Sequence, residues 1–131
     1  MVNQKAYVVI DSFAWFEYFL GSSAGEVVRS YIDEGRTFTP TIVVAELSEK
    51  YGRLGLDFKE KLKFMKLRSQ LIPLDEDIAE LAGKLSLERK KRVEHWGMAD
   101  SIVLATARLG NHKIITGDEH FRDLKEAMMI K

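Results

Sequence analysis

Four carboxylates stand at positions where folding could gather them. Asp11 directly follows the apolar, β-rich run Ala6 to Ile10, and Asp118 follows the similar run Ile114 to Thr116 after a single glycine. Glu46 lies within the mostly apolar stretch Ile42 to Leu47, and Asp100 opens the segment Met98 to Leu109, almost wholly apolar up to Arg108. Each alone has an ordinary use. Asp is a favoured helix N-cap, Glu46 stands four residues before Lys50 at ion-pair spacing, and a carboxylate in a first helical turn suits the macrodipole. Gathered in one pocket the four would repel one another, and a shared cation makes the arrangement tolerable. The chain has no cysteine, so thiolate chemistry is excluded, and an all-oxygen donor set selects Mg²⁺ or Mn²⁺ over zinc or copper, as one ion or two. A cation so held activates water and neutralises a phosphodiester, which points to hydrolysis of a nucleic-acid backbone.

The elements that must position these acids can be read from pattern. Ala6 to Ile10 reads as a strand and Phe13 to Leu20 as a helix; Ser23 with Glu26 forms a capping box for a second helix ending near Gly35. Arg36 to Thr39 reads as a short strand, and Thr39 as N-cap with Pro40 behind it opens a helix to about Gly52. Further helices are expected over Phe58 to Leu71, Glu76 to Arg92, Met98 to Leu109 and Glu119 to Lys125, with strands at Ile72 to Leu74, Lys113 to Thr116 and Met128 to Ile130. Strands alternating with helices predict an α/β fold, a three-layer α/β/α unit on a mainly parallel twisted sheet. In such sheets the working crevice lies beyond the carboxyl ends of the strands, where Asp11 and Asp118 stand, and the two converge if their strands are neighbours. With 131 residues, one domain spanning 1–131 is expected.

The set Asp11-Ser12 after the first strand, Glu46 in Val44-Ala45-Glu46-Leu47, Asp100 in Met98-Ala99-Asp100 and Thr116-Gly117-Asp118 resembles the PIN domain, and especially the short toxin ribonucleases of the VapC type. The resemblance runs from Val8 to the last strand. It implies that Asp11, Glu46, Asp100 and Asp118 bind the metal and that the hydroxyls of Ser12 and Thr116 orient ligands or water. It further implies a homodimer, an RNA substrate and inhibition by a small antitoxin protein whose tail occupies the groove. Two positions depart from the pattern: His120 stands where many relatives carry another acid, and Phe13 replaces a small residue beside the first acid.

Lys plus Arg and Asp plus Glu are 20 each, so the net charge is zero, but setting aside the four acids leaves 16 against 20 and a mildly basic remainder. Lys59, Lys61, Lys63, Lys66 and Arg68 form one basic cluster and Arg89, Lys90, Lys91 and Arg92 another, either solvated helix faces or phosphate contacts whose strength would depend on salt. His95, His112 and His120 lack the spacing of a dedicated imidazole site, with His120 near enough to the acids to touch metal or phosphate. Trp15, Phe16, Tyr18 and Phe19 suggest a core or, preferably, a dimer interface rather than base stacking. No apolar stretch approaches the ~20 residues of a membrane span and Met1 to Ala6 carries no secretion signal, so a cytoplasmic protein is expected. Two rivals remain: a catalytically silent PIN-like module that binds RNA or a partner, and a phosphoacceptor receiver domain, which would want paired acids where Asp11 is followed by Ser12.

Overall fold

The computed structural model describes residues 6–131, so the expectation about a leader falls largely on residues outside those described. Five strands, β1 (Val8–Ile10), β2 (Thr37–Pro40), β3 (Gln70–Ile72), β4 (Lys113–Thr116) and β5 (Ala127–Met129), form one wholly parallel sheet in the order β3-β2-β1-β4-β5. Helices α1 (Ser12–Leu20) and α2 (Ser23–Asp33) link β1 to β2, and α3 (Thr41–Arg53) and α4 (Lys59–Arg68) link β2 to β3. The next crossover, α5 (Glu76–Arg89) and α6 (Met98–Gly110), carries the chain back past β1 to β4. Because such crossovers are right-handed, opposite directions of travel put the two groups of helices on opposite faces of the sheet, the three-layer arrangement expected.

The central strand shows why. All three residues of β1 are buried, as in a strand covered on both faces, and Ile10, Ile114 and Ile115 are completely enclosed. Val9 pairs with Phe38 on one side and Ile114 on the other. Strand order reverses between β1 and β4, so the ends of these two strands are where a crevice must open. This order also excludes the receiver-domain alternative, in which doubly wound strands run 2-1-3-4-5; Asp75 is an ordinary cap, its Oδ1 accepting the Ile78 amide at 2.8 Å.

Several local expectations are corrected. Thr39 is no N-cap: its hydroxyl accepts the Trp15 indole N–H at 3.0 Å and shares a 2.6 Å hydrogen bond with Ser69, so Pro40 ends β2 and Thr41 begins α3. Ser22, not Ser23, caps α2 through the Gly25 amide. Gln70 and Leu71 leave the helix expected over Phe58 to Leu71 and, with Ile72, pair with β2, so this strand is residues 70–72 rather than 72–74, and α5 stops at Arg89 rather than Arg92. The segment expected as a helix over 119–125 is a single 3₁₀ turn, Glu119–Phe121. Trp15 belongs to the core, fully enclosed, rather than to an interface; Tyr18 and Phe19 pack on Phe64 of α4, and Phe16 on Tyr51. No helix among the described residues is long and apolar enough to cross a membrane.

Candidate metal centre

Each of the four acids reaches the crevice from a different element. β1 ends at Asp11, whose amide continues the ladder to Ile115 O at 3.4 Å and whose Oδ1 accepts the Ala14 amide at 2.9 Å, starting α1. The cap therefore fixes the carboxylate at the sheet edge while leaving its second oxygen for other use. Asp11 is only 5 % exposed. Burial pushes its pKa from 3.8 up to about 7, against hydrogen bonds from the Thr116 hydroxyl and the Ala14 amide, and the charges of Asp118 and Glu46 add to the rise.

Glu46 projects from α3 on the side of Ile42 and Val43, half-buried. Its expected partner Lys50 instead lies 3.8 Å from the centre of the Phe16 ring, and Ser12 Oγ donates to Glu46 Oε1 at 3.2 Å. Burial lifts the Glu46 pKa above the usual carboxylate range; the Ser12 hydrogen bond opposes this, and Asp100 and Asp118 reinforce it. A carboxylate kept out of water beside three others, with a hydroxyl for support, is costly unless a cation joins it.

Asp100 occupies the third position of α6, where Oδ2 accepts the Gly97 amide at 3.0 Å. Asp118 heads the 3₁₀ turn, with its amide donating to Thr116 Oγ1 at 2.9 Å and its Oδ1 accepting the His120 amide at 2.9 Å. Thr116 thus ties Asp11 and Asp118 to the end of β4 through one hydroxyl. Ser12 is hydrogen-bonded to Glu46 and Thr116 to the Asp118 amide, Asp11 feels the charges of Asp118 and Glu46, and Glu46 those of Asp100 and Asp118; among the described residues the acids whose ligand atoms come within 4.8 Å of one another, with His120, are Asp100 and Asp118.

The His120 ring lies against two of the acids. Its Nδ1 is 3.1 Å from Asp100 Oδ2 and 3.7 Å from Asp118 Oδ1, and one ligand atom from each of Asp100, Asp118 and His120 lies within 4.8 Å of the others. An open cleft of about 560 Å³ begins here, lined by Phe13, Gly117, Asp118, Glu119, His120 and Lys131. Phe13 is accommodated because Gly117 has no side chain: a Cβ there would stand 2.3 Å from the Phe13 ring.

The structure corrects the reading of Arg89 as part of a basic surface. Its side chain is 7 % exposed, makes a two-pronged ion pair with Asp123 at 2.7 and 2.8 Å, donates to His120 O at 2.8 Å and lies 4.5 Å from the Trp96 ring centre. The signal was present in the sequence: Ile78, Ala82, Leu85 and Arg89 recur at helical spacing, so the buried stripe of α5 ends on the arginine. In the other cluster Lys61 lies 5.2 Å from the Tyr51 ring centre and Lys63 pairs with exposed Glu60 at 3.8 Å.

The sequence matches the PIN domain family over residues 8–127, and the chain belongs to that family. The fold is similar to that of the toxin-antitoxin complex from Klebsiella pneumoniae, with a TM-score of 0.76, 18% identity and coverage of 95% of this chain and 98% of that one. It is also similar to DNA-bound VapBC from Salmonella typhimurium, at TM-score 0.71 and 15% identity over 97% and 100% of the two chains. Mycobacterium tuberculosis VapC20, described as a Sarcin-Ricin loop cleaving toxin, matches at TM-score 0.70 and 12% identity over 90% and 95%. At these identities the likeness concerns the fold. No curated protein matches the sequence.

Proposed function

We propose that this chain, one PIN unit over 1–131, is a divalent-metal-dependent endoribonuclease that hydrolyses RNA phosphodiester bonds, and that it is the VapC-type toxin of a toxin-antitoxin pair. What supports the reading is that Asp11 and Asp118 follow the two strands at the switch point of the sheet, with Asp11 buried, that Asp100 and Asp118 offer ligand atoms within 4.8 Å of each other, and that Glu46 feels the charges of both. Such a cluster fits a hard cation in its donor chemistry, since oxygen ligands dominate and cation charge removes the repulsion. These four acids are the ligands proposed for Mg²⁺ or Mn²⁺, one ion or two. When bound, the cation supplies charge neutralisation for a phosphodiester and activation of water.

The remaining steps belong to the protein's own groups. Ser12 holds Glu46 by its 3.2 Å hydrogen bond, Thr116 holds Asp11 and the Asp118 amide, and the Gly97 amide holds Asp100. Pre-positioned carboxylates need no rearrangement when a phosphate arrives. The cleft along Phe13 and Gly117 gives an extended polyanion a route past the acids. The fold shared with toxin-antitoxin complexes at 15–18% identity supports a small antitoxin as partner, and a homodimer in the cytoplasm completes the proposal. Purified protein incubated with RNA and Mg²⁺ or Mn²⁺ is expected to release fragments, with EDTA and Asp100→Asn each abolishing cleavage. Cleavage indifferent to both would refute the reading, and a folded, metal-binding protein without cleavage would favour the silent module.

A further inference from the structure

Among the groups around the crevice, His120 is the one whose role the four acids do not explain. Three contacts fix it: its amide donates to Asp118 Oδ1 at 2.9 Å, its carbonyl accepts from Arg89 Nη2 at 2.8 Å, and Nδ1 faces Asp100 Oδ2 at 3.1 Å. The arginine is itself anchored twice on Asp123 and packed on Trp96, so the turn carrying His120 is clamped to the end of α5. The backbone on both sides of the ring is thereby fixed, and the imidazole is set against Asp100 and Asp118.

We propose that His120 supplies a nitrogen ligand alongside Asp100 and Asp118, giving this site a mixed nitrogen–oxygen donor set tuned to first-row cations such as Mn²⁺ over Mg²⁺. The spacing suits this. The three ligand atoms lie within 4.8 Å of one another, close to the span of about 4 Å across an ion whose donors stand ~2.1 Å away. Imidazole favours transition-metal ions, while Mg²⁺ demands oxygen ligands and keeps its waters. The proposal rests on the acidic site being a metal site, and it adds which ion that site prefers.

Pulsed EPR of the Mn²⁺-loaded protein tests it directly, because a coordinated imidazole nitrogen couples to the metal electrons. The coupling can be assigned, since His95 pairs with exposed Glu94 and His112 packs on Phe38, outside the acid cluster. The wild type is expected to show nitrogen coupling; His120→Asp and His120→Ala are expected to lose it while still binding Mn²⁺. Competition titrations should show the preference for Mn²⁺ over Mg²⁺ falling about tenfold in His120→Asp, which restores an all-oxygen set. Bound Mn²⁺ without nitrogen coupling in the wild type, or coupling that persists in both variants, overturns the role of His120 and leaves the acidic site standing. Mn²⁺ binding that is absent, or unweakened by Asp100→Asn, overturns the metal site itself.

Discussion

Replacing Asp11 by asparagine should stabilise the protein in the absence of divalent ions while destroying its activity. The magnitude follows from burial. The Asp11 pKa rises from 3.8 to about 7 on folding, a gap of about 3 units, worth up to about 4 kcal/mol against the charged form at 1.36 kcal/mol per unit. A carboxyl whose pKa is raised by folding contributes stability that is complete below its unfolded pKa of 3.8 and is lost as pH climbs to about 7. Metal-chelated wild type should therefore weaken across that window. Asparagine retains an Oδ1 for the Ala14 amide, which Asp11 caps at 2.9 Å, and its uncharged side chain escapes repulsion by Asp118 and Glu46. Burying the new amide group costs something, so a net gain of about 2 kcal/mol at pH 8 is expected, or roughly 5–8 °C in Tm for a chain of this size. Thermal unfolding followed by circular dichroism in EDTA, at pH 4 and pH 8, checks both parts: the gain should be present at pH 8 and reverse at pH 4, where the carboxyl is protonated and the cost of burying the amide remains. Adding Mn²⁺ should raise the wild-type Tm more than that of the variant. A variant less stable than wild type at pH 8, or a difference independent of pH, would refute the repulsion argument and make Asp11 an ordinary cap.

Gly117→Ala should cost about 1–3 kcal/mol through overpacking, since the new Cβ would stand 2.3 Å from the Phe13 ring; adding Phe13→Ala should recover most of it in a double-mutant cycle read by urea unfolding. Arg89→Met should lower stability by about 1–2 kcal/mol, because it removes the donor from the His120 carbonyl and the hydrogen bonds to Asp123, whose exposed carboxylate water can solvate, whereas Lys90→Met should change little. Ser12→Ala should shift the acid limb of the pH–rate profile to higher pH, because the Ser12 hydrogen bond lowers the Glu46 pKa and its loss lets burial raise it further; an unmoved limb would separate Glu46 from the reaction. Trp15→Phe should cost about 1 kcal/mol through the lost hydrogen bond to Thr39.

The layered parallel fold was legible because its signals are local and agree: β-rich runs stop at polar residues, and apolar helical stripes lie between them. Errors arose where a distant partner outbid a local preference. Thr39 ahead of Pro40 is a good capping pattern, but Trp15 and Ser69, 24 and 30 residues away, take its hydroxyl. Leu71 follows a helical pattern, yet its pairing with Thr39 draws it into the sheet. The turn after Asp118 could not lengthen into a helix once Arg89 held Asp123 and the His120 carbonyl.

The site was legible to a greater depth than its chemistry. Acids at strand ends can be found by inspection, since an isolated carboxylate beside buried apolar residues is expensive and several such carboxylates imply a common compensation. What inspection misses is the angle at which a basic side chain leaves its helix. Arg89 stands in a run of four basic residues, and only the phase of Ile78, Ala82 and Leu85 distinguishes it from Lys90 and Lys91, which are exposed. That phase decides where His120 stands: turned inward, Arg89 neutralises Asp123 and pins the His120 backbone, leaving the ring against Asp100 and Asp118. An arginine turned outward would leave this turn unclamped, and the imidazole would have no fixed place beside the acids.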